Sequence, residues 1–438
     1  MLIEVDKDIW FDNEKVFIIL GNDNKNKYAE NYNDYPVIKE KKNKNWYPTL
    51  VFLASIRCNL QCKYCFAHDG TYDIDDEKTK IGFEEFKKTF DYFYNTYGHI
   101  NAISFFGGEP MIDYKEIEKF CAYLFDNYNK DERPLLGINS NGTIMNEEIK
   151  NMIAKYGINF GTSLDGIKIH NDIQRIGKGI NSVYDKVKHT LNYLSDIPIN
   201  KVVQFTVSRV QIENYQKGDY HKWMQEIGNM GVHFTEIVPV STEDKRFKID
   251  LENFEIRKNF EILCEDIFDY TISKISDDEN SMMNCPRTVI GILVRIMRRE
   301  YQNDCSAGRS FSITPQGYIF PCHSFALDKR YGVNFDNDFS SSHIDNNEHF
   351  QKVKNASRED IEKCKTCIGA KICPFYCRGL SYSMHNNMQE VLNERCFMMD
   401  ILVRKCICYL VGEEFKTKRK TVVSNLVKYH QVMELYKG

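Results

Sequence analysis

Cys58, Asn59, Leu60, Gln61, Cys62, Lys63, Tyr64, Cys65 and Phe66 follow directly on an apolar run, Thr49–Ser55, that reads as a strand. Three thiolates at this spacing can hold three irons of a [4Fe–4S] cube. Such a cube normally takes four cysteines, so a triplet leaves one iron open to a small molecule. A zinc knuckle, or three unrelated core cysteines, would use the same residue types.

Working outward from the triplet, the chain alternates between apolar runs and helical periods. Strand candidates are Thr49–Ser55, Ala102–Phe106, Leu135–Asn139, Asn159–Ser163, Val202–Val207 and Val232–Val238. Between them lie helical stretches. The clearest, Phe83, Phe86, Phe90, Phe93, Tyr94 and Tyr97, puts one apolar face at i, i+3, i+4 and i+7. The others run Ile117–Tyr128, Glu147–Tyr156, Val183–Leu194 and Tyr220–Met230. Such alternation implies an α/β fold with a parallel sheet and right-handed crossovers. Six units are too few for an eight-fold barrel, so the expected fold is an open, partial (β/α)6 TIM-like barrel. Ligands bind such sheets at the carboxyl ends of the strands, which is where the triplet falls.

The bulk numbers narrow the function classes. The chain has 438 residues, enough for two or three domains, and a net charge of −4. That charge gives no reason to expect a nucleic-acid or anionic-membrane partner. The start, Met1 to Asp8, lacks the basic and apolar runs of a secretion signal, and Thr288–Val294 is far too short to span a bilayer. A cytoplasmic protein is expected. In a reducing compartment, fifteen cysteines point to metal or redox chemistry rather than disulfides. Ten fall in two groups of ordered spacing. Cys121, Cys264, Cys285, Cys406 and Cys408 remain, and Cys121 lies on an apolar helical stripe that suits plain core.

Phe105, Phe106, Gly107, Gly108, Glu109 and Pro110 end the second strand. The glycines allow close backbone approach to a ligand, Pro110 stiffens the turn, and the Glu109 carboxylate can accept from an ammonium. The fourth strand ends Gly161, Thr162, Ser163, Leu164, Asp165, Gly166, with His170 and Arg175 just beyond. The planar fork of Arg175 suits a carboxylate; a helix cap at Ser163 and a surface ion pair at Arg175 are the plainer readings. Ser140 to Thr143 closes the third strand with an Asn-Gly turn. Much later come Cys305, Gly317 and Cys322, then Cys364-x2-Cys367-x5-Cys373-x3-Cys377, and finally Cys396.

The triplet with its flanking aromatics Tyr64 and Phe66, followed one βα unit later by Gly107–Pro110, resembles the radical S-adenosylmethionine (radical SAM) enzymes. The later cysteines resemble the seven-cysteine pattern of the SPASM domain at every position. Together the likeness runs from about residue 49 to 400. It implies S-adenosylmethionine and three [4Fe–4S] clusters. One would sit on Cys58, Cys62 and Cys65. An outer auxiliary cluster would take Cys364, Cys367, Cys373 and Cys396, and an inner one Cys305, Cys322 and Cys377. The cofactor's amino group would be held by Gly107, Gly108, Glu109 and Pro110, its polar end by Ser163 and its carboxylate by Arg175, beside Tyr64 and Phe66. Some relatives supply a fourth inner ligand about six residues before the first of the seven cysteines. Arg299 stands there in this chain. Either Cys285 reaches back, or the inner cluster keeps an open iron.

The expected organisation is an N-terminal extension over 1–47, the radical SAM core over 48–275, a linker helix over 276–304, the SPASM domain over 305–400 and a helical basic tail over 401–438. Strand-like pieces at Val16–Leu20 and Tyr35–Lys39 suggest that the extension is a β-hairpin, with no full leader-peptide module. The resemblance implies a 5′-deoxyadenosyl radical, a precursor peptide or protein as substrate and a low-potential flavodoxin- or ferredoxin-type donor. Cys65 to Tyr72 and Pro321 to Phe325 resemble the thioether-forming maturases of ribosomally made peptides. The expected reaction is therefore sulfur-to-carbon cross-linking. Formylglycine generation by an anaerobic sulfatase-maturing enzyme and carbon–carbon cyclisation are the alternatives. Glu236, on the sixth strand, is a catalytic base by position alone.

Overall fold

The computed structural model describes residues 1–38, 47–277, 284–301, 305–374 and 376–434. The chain starts with an antiparallel meander, β1 (Leu2–Asp6), β2 (Ile9–Asp12) and β3 (Phe17–Leu20), and a helix, α1 (Asn22–Glu30). This is one strand and one helix more than the expected hairpin. Only β3 falls on an expected piece, Val16–Leu20; β1, where Ile3 and Val5 alternate with Glu4 and Asp6, and β2, into which a left-handed Asp8 turns the chain, lie outside both. Residues 35–38 form no strand, and Lys39 lies outside the described residues. The meander is tied to distant parts of the chain. Asn13 Nδ2 donates to the Cys367 carbonyl at 2.8 Å, Arg404 Nη1 to the Glu4 carbonyl at 2.9 Å, and Arg299 Nη2 to the Lys15 carbonyl at 3.1 Å.

The parallel sheet follows in sequence order: β4 (Thr49–Ser55), β5 (Ala102–Gly107), β6 (Leu135–Ser140), β7 (Asn159–Ser163), β8 (Lys201–Val207) and β9 (Phe234–Pro239). Each pairs in parallel with the next. The crossovers are α2 (Phe83–Tyr97), α3 (Tyr114–Asn127), α4 (Glu147–Tyr156), α5 (Lys168–Gln174) with α6 (Val183–Tyr193), and α7 (Arg209–Ile212) with α8 (Asp219–Gly228). Their apolar stripes face the sheet. Phe86, Phe90 and Phe93 of α2 are fully buried, with Phe86 in an edge-on contact with Phe52 of β4 at 4.9 Å. Capping sets the ends: the Asn146 side chain accepts from Ile149 N at 2.8 Å to start α4, and a left-handed Gly157 stops it.

The long helix α9 (Phe254–Ile275) is followed by residues outside the description, then by β10 (Cys285–Pro286) and α10 (Arg287–Arg298). β10 adds a parallel pair to β9. On the other edge β11 (Ser310–Ile313) pairs in parallel with β4, and β12 (Tyr318–Phe320) and β13 (Val333–Asn334) continue antiparallel. The ten-stranded order is thus β10-β9-β8-β7-β6-β5-β4-β11-β12-β13, an open partial barrel extended at both edges. The cysteine-rich part is mainly short helices: α11 (Ser341–Asn346), α12 (Glu348–Asn355), α13 (Glu362–Lys365) and α14 (Arg378–His385). α15 (Asn393–Val411) carries Cys396, and α16 (Glu413–Glu434) ends the description. Among the described residues no helix is long and apolar enough to cross a membrane.

Candidate active site

Backbone hydrogen bonds hold the carboxyl ends of β4 and β5 together. Gly108 N donates to the Ser55 carbonyl at 2.7 Å, and Glu109 N to the Arg57 carbonyl at 2.8 Å. A Cβ on Gly107 would stand 2.2 Å from the Ser55 oxygen, and one on Gly108 would stand 2.4 Å from the Arg57 oxygen. Gly70, at φ +87°, closes the cradle. Its Cβ would lie 2.6 Å from Gly108 Cα and 2.8 Å from Cys58 Cβ. These three glycines pack the triplet loop against the strand ends with no room for a side chain.

Cys58, Cys62 and Cys65 gather at this mouth, close enough for Cys65 to act on Cys58 and for both to act on Cys62. Burial pushes Cys58 up and Cys62 to about 12, so in the absence of metal both are thiols. N–H groups surround the sulfurs. Leu60 N lies 3.4 Å from Cys58 Sγ, Asn141 Nδ2 3.7 Å from Cys58 Sγ, and Arg175 Nη1 3.9 Å from Cys62 Sγ. Such donors favour thiolates that hold metal. Three thiols with N–H donors beside two of them, over a glycine cradle with no room for side chains, form a donor set that fits a cluster.

Arg175, Asp165 and Tyr64 form the opposite wall. Asp165 is fully buried. Its Oδ2 accepts from Arg175 Nε at 2.9 Å and from the Tyr64 hydroxyl; its Oδ1 accepts from Thr206 N at 3.0 Å and Arg175 Nη2 at 3.3 Å. The Arg175 guanidinium also stands over the Tyr64 ring, 5.5 Å from its centroid. Burial weakens the cation, but Asp165 more than restores it and the net shift is upward. The arginine expected to hold a ligand carboxylate thus already has a protein carboxylate, and its remaining edge faces Cys62.

A cavity of about 470 Å³ runs between these walls, the size of a small-cofactor site. Cys58, Cys62, Tyr64, Phe66, Gly107, Gly108, Ser163, Arg175 and Glu236 all line it. Glu109 and Pro110 do not. Glu109 is fully buried and braces two strand ends: its carboxylate accepts from Met111 N at 2.9 Å, Ser140 Oγ at 2.8 Å and Asn141 N at 2.6 Å. Burial lifts its carboxyl to about 7. Glu236 is half exposed and faces Arg287 at 3.6 Å. The cysteine-rich part contributes Leu380 and Arg395 to the cavity, and Arg395 Nε has no acceptor among the described residues.

The other cysteines form two groups. Cys364, Cys367, Cys373 and Cys396 influence one another, with burial first and the neighbouring thiols next raising Cys364 to about 11 and Cys396 to about 12. Burial first, with Cys305 and Cys322 close by, raises Cys377 to about 11. Those are the quartet and trio that could hold the outer and inner clusters. Cys285 is not beside the trio. It pairs with Phe234 at the start of β9, the barrel end away from the triplet, and its neighbours there are Tyr220, Tyr270 and Tyr429. An apolar cluster of Leu53, Ala67, Tyr72, Phe320 and Phe325 joins triplet and trio, and His323 lies across it, 4.8 Å from Phe106 and 5.6 Å from Phe66.

Residues 53–209, from β4 to the start of α7, match the Radical SAM superfamily. The chain carries a radical SAM domain and is an enzyme. A cysteine-type anaerobic sulfatase-maturating enzyme of Clostridium novyi is 21% identical over 75% of this chain and 87% of its own length. The radical SAM cyclopropyl synthase TigE of Paramaledivibacter caminithermalis is 23% identical over 90% of this chain and 81% of its own. A shorter match, 34% identical, to an uncharacterised Methanocaldococcus jannaschii protein covers 32% of this chain and 46% of that one. Among solved structures, anSMEcpe with bound AdoMet shares the fold with a TM-score of 0.69 at 18% identity, over 88% of this chain and 99% of that one. The likeness of fold extends beyond the radical SAM domain over 88% of the chain.

Three contributors to the site carried no motif of their own. Asn141 was read only as a turn residue, although its amide touches Cys58. Asp165 lay inside a quoted run, yet its partnership with Arg175 depends on the return of α5. Gly70 stood in the loop after the triplet, where a glycine among polar residues was the one local signal.

Proposed function

We propose that this radical SAM enzyme is a peptide maturase that forms sulfur-to-carbon bonds in a cysteine-containing peptide. One observation carries the reading. Cys305, Cys322 and Cys377 stand together, and every remaining cysteine is placed elsewhere: Cys121 on α3, Cys264 on α9, Cys285 on β10, and Cys406 and Cys408 on α15, at least ten residues beyond Cys396. An inner cluster with three protein thiolates keeps a position for a substrate thiolate, the open site that marks catalysis rather than structure.

The cofactor and the clusters, when bound, supply a carbon-centred radical and a place for the electron left over. This chain's residues position and enclose. Gly107 and Gly108 bring bare backbone to the cavity, Ser163 offers a hydroxyl, and Arg175 with Asn141 presents N–H groups to the triplet sulfurs. His323 and the aromatics Phe66 and Phe106 fill the space between triplet and trio. A low-potential electron-carrier protein supplies the first electron, and the reaction takes place in the cytoplasm.

The second reading is oxidation of a cysteine or serine to formylglycine. The near full-length likeness to sulfatase-maturating enzymes favours it. The test is incubation of the anaerobic holoenzyme with S-adenosylmethionine, reductant and a cysteine-containing peptide. Loss of two hydrogens with one thiol consumed supports the thioether; an aldehyde at the former cysteine supports formylglycine; a new bond with the thiol intact would point to carbon–carbon chemistry and refute both.

A further inference from the structure

Three arginines line the cavity, and two of them already have a carboxylate. Arg175 holds Asp165 at 2.9 Å, and Arg287 faces Glu236 at 3.6 Å. The third is Arg395, in the first turn of α15. Among the described residues no carboxylate lies within ion-pair distance of it, and its Nε, shut off from solvent, has no acceptor. Glu394, next to it in the chain, stands beyond that distance. Burial raises the Glu394 carboxyl, and Arg395 acts on it only through space, as Lys248 and His385 do. A half-buried guanidinium with an unsatisfied N–H is costly to the fold. A ligand that supplies the missing acceptor removes that cost.

Arg395 belongs to the trio side of the cavity. Its charge acts on Cys377, and the backbone N–H of Leu380 meets the same sulfur. Cys58 and Cys62 respond instead to Glu109, Arg175 and Asp165. The quartet fixes the backbone of Arg395, because Cys396 follows it directly: Arg395 N and Cys396 N both donate to the Leu392 carbonyl at 3.1 Å. The unmatched cation thus stands on the part of the wall that the barrel does not build. It is beside the trio that the proposed function offers to a substrate thiolate.

We propose that Arg395 determines substrate specificity by pairing with a carboxylate of the peptide, close in sequence to the reacting cysteine. The inference deepens the maturase reading and rests on it. The planar fork of a guanidinium matches the two oxygens of a carboxylate, whereas a thiolate or a backbone carbonyl offers a single acceptor atom. The carboxylate comes from an Asp or Glu side chain or from the peptide's own C-terminus; both present the same two oxygens. The pair fixes the register in which the peptide enters the cavity. Because anchor and trio are neighbours, that register selects which cysteine of the peptide meets the trio.

The test measures peptide affinity on the anaerobic holoenzyme with S-adenosylmethionine present. The probes are dye-labelled heptapeptides with a central Cys among Gly and Ala. One set carries Glu at each other position in turn, a matched set carries Gln, and each peptide is made with a free and with an amidated C-terminus. In the wild type at least one Glu peptide, or the free C-terminus, binds about tenfold more tightly than its neutral match. Arg395→Gln abolishes that preference and Arg395→Lys weakens it. A preference for Glu assigns the anchor to a side chain; a preference for the free end assigns it to the C-terminus. Where Arg395→Gln loses iron, the neutral and acidic peptides on the wild type and on Arg395→Lys decide. Peptides that bind the wild type with no carboxylate preference, or a preference that survives in Arg395→Gln, overturn the proposal and leave the maturase reading standing. So does weaker S-adenosylmethionine binding in Arg395→Gln with the peptide preference intact, which would give the cation to the cofactor. If no cysteine peptide binds at all, the maturase reading fails and the proposed specificity fails with it.

Discussion

Replacing Asp165 by Asn removes one oxygen's worth of charge from a site that water does not reach. Asp165 side-chain exposure is 0% and that of Arg175 is 9%. The carboxylate accepts two bonds from Arg175, one from Thr206 N and one from the Tyr64 hydroxyl. An Asn keeps one acceptor and presents an NH₂ to donors at the other position. Arg175 stays charged, because burial alone does not deprotonate a guanidinium. Removing one partner of a buried pair costs about 3–5 kcal/mol, and nothing in the cavity replaces the lost anion. For a chain this long, that is a fall of roughly 3–10 °C in the melting midpoint of the anaerobically isolated protein. Arg175→Met in the Asp165→Asn background should recover part of the loss, because the unpaired charge is gone. A cycle of the two single variants and the double variant measures the coupling. A midpoint within 1 °C of wild type in Asp165→Asn, or a double variant worse than the sum of the singles, would refute the account of this wall.

Gly70→Ala places a methyl 2.6 Å from Gly108 Cα and 2.8 Å from Cys58 Cβ at φ +87°. It should cost about 2–5 kcal/mol from left-handed strain and overpacking together, and iron at the triplet should fall below that of Gly98→Ala, a control where the methyl meets nothing within 4 Å. With the trio holding an inner cluster as proposed, Cys377→Ala should lower iron by about four per chain, whereas Cys285→Ala should leave iron unchanged and cost only core packing. Burial lifts Glu109 from 4.5 to about 7. The folded chain therefore keeps a proton that the unfolded chain releases above 4.5, and stability falls by about 3 kcal/mol as pH rises from below 4.5 to above 7. Glu109→Gln should flatten that part of the melting-midpoint profile between pH 5 and 8; an unchanged slope would assign the dependence to other groups.

The barrel was legible because its signals are local. Six apolar runs of strand length, separated by helical stripes, foretold β4 to β9 within two residues at every end, and Phe86, Phe90 and Phe93 foretold the buried face of α2. Side-chain partnerships were less legible, because a motif records which residues are present and not which neighbour reaches them first. Glu109 and Arg175 show this. The motifs offer Glu109 to a ligand ammonium and Arg175 to a ligand carboxylate or a surface ion pair, and each is engaged by the protein: Glu109 by two backbone amides and Ser140, Arg175 by the buried Asp165. Met111 is a neighbour in sequence, but Ser140 and Asn141 lie 31 and 32 positions from Glu109, at a strand end that only the folded sheet brings beside it, and Asp165 lies 10 from Arg175, at the other end of α5. The edges of the sheet were hidden for a similar reason. β10 and β11 are too short, at two and four residues, to show a period, and they exist because β9 and β4 offer unpaired edges.

That edge pairing bears on how the two halves of the chain communicate. β11 lies against β4, and β4 runs straight into the triplet loop, so the segment bearing Cys305 and Cys322 is joined to the segment bearing Cys58 by strand pairing as well as by side-chain packing. Asn13 ties a third segment to the quartet through the Cys367 carbonyl. A disturbance at one cysteine group therefore reaches the next through backbone, which resists deformation more than a contact between side chains does. The separation between triplet and trio is in this sense a property of the sheet. Phe66, Phe106 and His323 fill a gap whose width the strands have already set, and shortening any of the three should open a void there without drawing the cysteine groups together.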